Sequence, residues 1–77
     1  MDTKRLALTD DWQQLGGSGA LYVDGIAEFC VCATEPAKDN PRHTLRQDLK
    51  FPDGQAVWFR RSGASPGQSF LNYTIFE

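Results

Sequence analysis

The stretch Ala20-Leu-Tyr-Val-Asp-Gly-Ile-Ala-Glu-Phe-Cys-Val-Cys-Ala-Thr34 decides the fold. Its first six residues favour a strand and stop at Asp24-Gly25, a dipeptide preferred in two-residue type I′ turns. Ile26 to Thr34 follows at once, so residues 20–34 are expected to form a β-hairpin. In the second strand Ala27, Phe29, Val31 and Ala33 share one face, and Ile26, Glu28, Cys30 and Cys32 share the other. From Phe29 to Ala33 both faces are apolar. That pattern predicts a central strand, covered on both sides by a second sheet or by another subunit.

The flanking residues extend the same pattern. Glu35-Pro-Ala-Lys-Asp-Asn-Pro-Arg-His reads as an exposed loop, since two prolines and an Asp-Asn pair oppose regular structure. Thr44 to Phe51 is expected to give a short strand with Leu45, Leu49 and Phe51 as its apolar residues. Pro52-Asp53-Gly54 is a turn: proline presets φ and glycine tolerates positive φ. Gln55 to Arg61 is the next strand, and Ser62-Gly-Ala-Ser-Pro-Gly the next loop. Ser69 to Phe76 is the last strand, with Leu71, Tyr73 and Ile75 on one face and Phe70, Asn72, Thr74 and Phe76 on the other. This strand would be an exposed edge unless something pairs with it, and another subunit is one candidate. Upstream, Asp10-Asp-Trp-Gln-Gln-Leu suits a single helical turn or a short strand around Trp12, ended by Gly16-Gly17. Residues 1–10 are set apart as a candidate flexible arm. Turn signals at a spacing of about 8–12 residues predict one all-β domain over residues 1–77, a small sandwich or barrel of short, mainly antiparallel strands.

A chain of 77 residues buries only about 60–65 % of its unfolded surface. A lone core of that size seldom supplies more than roughly 3–5 kcal/mol. Added stability is therefore expected from self-association or docking. Cys30 and Cys32 are one residue apart; in a strand their Cα atoms would lie about 6.5–7 Å apart, at the limit for a disulfide. They read as buried thiols, which points to a reducing compartment. One histidine and two cysteines lack zinc-site spacing, so neither a metal nor a cofactor is expected. The formal net charge of −2 and pI near 5.2 argue against nucleic acid as a partner. Met1-Asp-Thr-Lys-Arg leads into only three apolar residues, which does not read as a signal peptide. No apolar run approaches the roughly 20 residues of a membrane helix, so a soluble, cytosolically made chain without a membrane partner is expected.

No catalytic set emerges. His43 follows Pro41-Arg42 in the polar loop, without a nucleophile motif beside it, and Asp10, Asp11 and Asp53 sit where turns use carboxylates as caps. Gly16-Gly-Ser-Gly lacks the lysine and the helix of a phosphate loop. An enzyme is therefore not expected. The richest segment is Gly54-Gln-Ala-Val-Trp-Phe-Arg-Arg-Ser-Gly63, where Val57 and Phe59 alternate with Trp58 and Arg60. Tryptophan and arginine are enriched at binding hot spots, which makes Trp12, Trp58, Arg60 and Arg61 the candidate protein-contact residues. Equally, Trp58 suits the core, with solvated arginines beside it. A third reading uses Trp58 and Tyr73 as stacking platforms for an oligonucleotide or carbohydrate.

Trp12-Gln13, the glycine-rich turn, Glu28-Phe-Cys-Val-Cys, the proline-flanked loop and Val57-Trp-Phe-Arg-Arg-Ser occur in an order that resembles small virion proteins and fibre-type modules of tailed bacteriophages. The resemblance runs from Trp12 to about Ser62. It implies a non-enzymatic structural part, a capsid decoration or a tail or fibre component, assembling as a homo-oligomer with other virion proteins. It also implies a location in the virion after synthesis in the cytoplasm of the bacterial host. It brings no catalytic residues.

Overall fold

The computed structural model describes residues 2–62 and 69–76. Among them eight strands appear: β1 (Lys4–Leu8), β2 (Gln13–Gly16), β3 (Ala20–Gly25), β4 (Ala27–Val31), β5 (His43–Leu45), β6 (Leu49–Phe51), β7 (Ala56–Arg60) and β8 (Ser69–Phe76). They form two four-stranded antiparallel sheets, sheet I in the order β1-β8-β3-β6 and sheet II in the order β2-β7-β4-β5. The sheets share no strand, so the fold is an all-β sandwich. Only the β4–β5 connection stays within one sheet; every other successive pair of strands changes sheet.

The expected hairpin at 20–34 is therefore not made. β3 stays paired with β8 to its end, Asp24 opposite Asn72 and Gly25 opposite Leu71, while β4 pairs with β5 and β7. A type I′ turn needs positive φ at both central residues. Gly25 has φ 145°, but among the described residues no non-glycine has positive φ, so Asp24 does not. Gly25 is instead a corner where the chain leaves one sheet for the other. A Cβ there would stand 3.0 Å from the Phe70 carbonyl oxygen and 3.3 Å from Leu71 Cδ1, so a side chain would push on both neighbours at a φ that favours glycine.

Other expectations change for the same reason, that partners come from far along the chain. β8 is not an edge: it lies between β1 and β3. Residues 4–8, within the stretch set apart as an arm, pair with β8 along their length. Thr44 to Phe51 is not one strand, because residues 46–48 carry the chain from β5 in sheet II to β6 in sheet I. Around Trp12 the strand reading is the correct one. The Pro52-Asp-Gly turn forms with Gly54 at φ 88°. Most of the loop expected at 62–68 lies outside the described residues.

The core lies between the inner faces. Sheet I contributes Leu8, Leu21, Val23, Phe51 and Leu71; sheet II contributes Ala27, Phe29, Leu45, Val57 and Phe59. Phe29, Phe51 and Phe59 meet at ring-centroid distances of 5.4–6.2 Å, within the range where aromatic pairs attract. β4 is central, flanked by β7 and β5, as expected, but it ends at Val31 and not at Thr34. With Val31 50 % exposed, the cover expected on both sides from Phe29 to Ala33 is incomplete. Two of the four sheet edges, β5 and β6, are three residues long, and β1 carries Lys4 and Arg5; short or charged edges discourage unwanted pairing.

Candidate functional site

Alternation along β4 and β7 sends Glu28, Cys30, Trp58 and Arg60 to the outer face of sheet II, with Trp58 opposite Cys30 and Arg60 opposite Glu28. That face is covered by the chain's own segment 32–42, which leaves β4 and returns as β5. The segment begins by extending the ladder, Cys32 N–H donating to the Ala56 carbonyl at 3.3 Å. Pro36 is buried, and Asn40 N–H donates to the Ala37 carbonyl at 3.1 Å to close a turn. Both indoles hold this cover by its backbone. Trp58 Nε1–H donates to Cys32 O at 2.9 Å and Trp12 Nε1–H to Ala37 O at 3.1 Å.

Arg60 lies over the Trp12 ring at 4.3 Å, donates from Nε to Glu28 Oε1 at 2.8 Å and from Nη1 to Lys38 O at 2.9 Å. Arg42 Nε donates to the same Glu28 oxygen at 3.1 Å. One carboxylate thus ties the end of the cover to the sheet. Trp12 is 8 % exposed, Trp58 and Arg60 are half-buried, and the three act as one intramolecular cluster. Arg61 is elsewhere: its backbone N–H donates to Thr9 O at 2.8 Å and its Nη2 to Asp10 Oδ1 at 2.7 Å. The four candidate contact residues therefore divide into three that hold the chain's own cover and one that joins the β1–β2 connection to the end of β7.

Beneath the cover the two thiols meet, Cys32 Sγ lying 3.9 Å from Cys30 Sγ. Both cysteines are free, Cys30 buried and Cys32 half-buried. Burial pushes the Cys30 thiol up to about 11, the neighbouring Cys32 sulfur adding to this while Arg60 and Asn40 oppose it. Asn40 Nδ2–H points at Cys32 Sγ across 3.8 Å.

His43 stacks obliquely on Phe29 at 5.3 Å and rims an open groove of about 670 Å³ between the edge strands β5 and β6. Val31, Leu45 and Leu49 also line this groove; neither cysteine does. The acidic turn residues do not share one role: Asp53 Oδ1 accepts from the distant Gly19 N–H at 2.8 Å, and Asp10 pairs with Arg61. Tyr73 points into the sandwich against the core. Trp58 faces outward from the other sheet, so the two do not form one stacking platform.

The outer face of sheet I was not singled out by sequence reasoning. Register places Tyr22, Thr74 and Lys50 side by side there, and Arg5 beside Asn72. Tyr22, Phe70 and Phe76 are 37 %, 41 % and 42 % exposed. Arg5 lies over Phe70 at 5.2 Å and Lys50 Nζ over Phe76 at 5.8 Å. The Tyr22 hydroxyl donates to Asp48 Oδ2 at 2.7 Å, a bond that raises its pKa above the ordinary phenol value. The alternation Phe70, Asn72, Thr74, Phe76 was legible; that it faces solvent from the middle of a sheet depends on β1 and β3. No family model, curated protein or solved structure matches this chain.

Proposed function

We propose that this protein is a non-enzymatic structural part of a tailed-bacteriophage virion, a capsid-decoration, tail or fibre module that docks on other virion proteins or on copies of itself. The observation that carries the reading is the outer face of sheet I. Three aromatic side chains stand more than a third exposed there, two of them under cations, while the chain covers its other outer face itself. Aromatic residues and arginine are the types enriched where proteins meet. The order of motifs from Trp12 to Ser62 supports the virion setting, and the small core supports completion by neighbours.

The test is to purify particles from bacteria that carry and express the gene, and to quantify this chain against the major capsid protein. A fixed ratio in the particles is expected. A folded variant with Phe70→Ser and Phe76→Ser is expected to remain in the soluble lysate. Absence of the wild-type chain from particles overturns the virion reading; equal incorporation of the double variant overturns the assignment of the face.

A further inference from the structure

We propose that Cys30 and Cys32 form a two-sulfur binding site for one soft monovalent metal ion of the Cu(I) class. The sulfurs stand 3.9 Å apart. Two thiolates held in line by one two-coordinate ion at about 2.3 Å each would lie roughly 4.6 Å apart. The sulfurs therefore have to spread by less than about 1 Å, within the reach of small χ1 adjustments of the two side chains. Both thiols are free. The sequence spacing x-Cys-x-Cys-x by itself suggested only a pair of buried thiols.

Ligand number selects the ion. Among the described residues no group of three or more His, Cys, Asp or Glu could hold a metal. Zinc, which takes four protein ligands in structural sites, is not provided for, whereas soft ions select thiolate sulfur. Burial of Cys30 opposes the thiolate charge, and two neighbours offset that cost in part. Two S–H bonds break, two protons leave to solvent and two metal–sulfur bonds form, with no electron transferred; the resulting unit carries one negative charge. Arg60, on the same face, and the Asn40 amide, 3.8 Å from Cys32 Sγ, offer it positive charge and a donor. The outer partners fix the geometry: Trp58 lies opposite Cys30 and donates to the Cys32 carbonyl at 2.9 Å. Half-buried Cys32 gives the ion a way in, and buried Cys30 keeps it from water.

The test offers Cu(I) as its bicinchoninate complex to the full, reduced chain under anaerobic conditions. The chain is expected to withdraw one equivalent and to lose indole emission as it loads, since Trp58 stands opposite Cys30 and its indole bonds the Cys32 carbonyl. Cys30→Ser and Cys32→Ser are each expected to weaken the competition by more than the roughly 10–100-fold typical of losing an outer partner. Should Cys30→Ser fail to fold, Cys32→Ser, at the half-buried position, still decides. Zn(II) offered with a weak chelator is expected to stay with the chelator. The site is overturned if the wild-type chain takes no copper, if folded Cys32→Ser competes as well as wild type, if Zn(II) is retained equally, or if the pair merely oxidises to a disulfide, seen as loss of two hydrogens in mass without bound copper.

Discussion

The two outer faces of the sandwich begin from similar chemistry and end differently. Each sets aromatic rings beside cations: Arg60 over Trp12 at 4.3 Å on sheet II, Arg5 over Phe70 at 5.2 Å and Lys50 over Phe76 at 5.8 Å on sheet I. On sheet II the guanidinium also meets Glu28 and the Lys38 carbonyl beneath the 32–42 cover. On sheet I the rings remain exposed. Residue type therefore does not decide whether an aromatic–cation cluster is an inner layer or stays exposed. What decides is whether the chain folds a segment of its own across it.

The change expected to disturb this contrast most is Trp12→Ala. It removes a buried indole, its bond to Ala37 and the plate under Arg60. A loss of about 3–5 kcal/mol is expected from large-to-small change alone, read as a lower midpoint in urea. An unchanged midpoint would mean that the cover does not depend on the indole. Gly25→Ala comes next. The corner at Gly25 assigns Tyr22 and Glu28 to different sheets, so it creates the two faces. A Cβ at φ 145° and 3.0 Å from a carbonyl oxygen should cost about 1–3 kcal/mol.

These two positions also show what was legible beforehand. The apolar run beginning at Phe29 marked β4 as central, and turn residues marked the start of β7 after Pro52-Asp-Gly, because both signals are local. The ends of β4 and the break between β5 and β6 carry no such signal. Asp24-Gly25 was misread because a turn signal states that the chain bends, not which strand it then joins; that depends on β8, far along the chain. β8 reads as an edge unless something pairs with it, and the partners that cover it are β3 and β1 of the same chain, β1 lying in the stretch set apart as an arm. The segment Glu35–His43 reads as loop by composition, and its hold on sheet II uses the carbonyls of Ala37 and Lys38, which any sequence possesses. Trp58 could be core or contact on pattern alone, and only the presence of a cover settles its surroundings.

Glu28→Gln sharpens the contrast further. The carboxylate accepts from Arg60 and Arg42, whose side chains are 12 % and 40 % exposed. The Arg60 pair supplies most of the effect, since water screens the more exposed partner. A loss of about 2 kcal/mol is expected, with faster proteolysis within 32–42. The matching change on the uncovered face, Phe76→Ala, gives up a half-exposed ring and a cation contact. It should cost about 1 kcal/mol or less, measured in the same urea series. Equal losses from the two substitutions would erase the distinction between the faces.

Asp48→Asn is expected to have the smallest effect, and it addresses how the bare face is ordered without a cover. The neutral Tyr22 phenol donates to the Asp48 carboxylate at 2.7 Å. Ionising the phenol destroys that bond and places two negative charges together, so the folded pKa is raised. For an acid raised by folding, the bond stabilises the native state below the unfolded phenol value of about 10. That help is lost as pH climbs from there through the folded value. With an amide in place of the carboxylate, the Tyr22 titration should move back toward the ordinary phenol range. Ultraviolet titration in a Tyr73→Phe background isolates it, since the chain has two tyrosines. An unmoved titration would mean that the ring is not held by this bond. The exposed aromatic face would then lack the polar fastening that, in the absence of a covering segment, keeps Tyr22 in place.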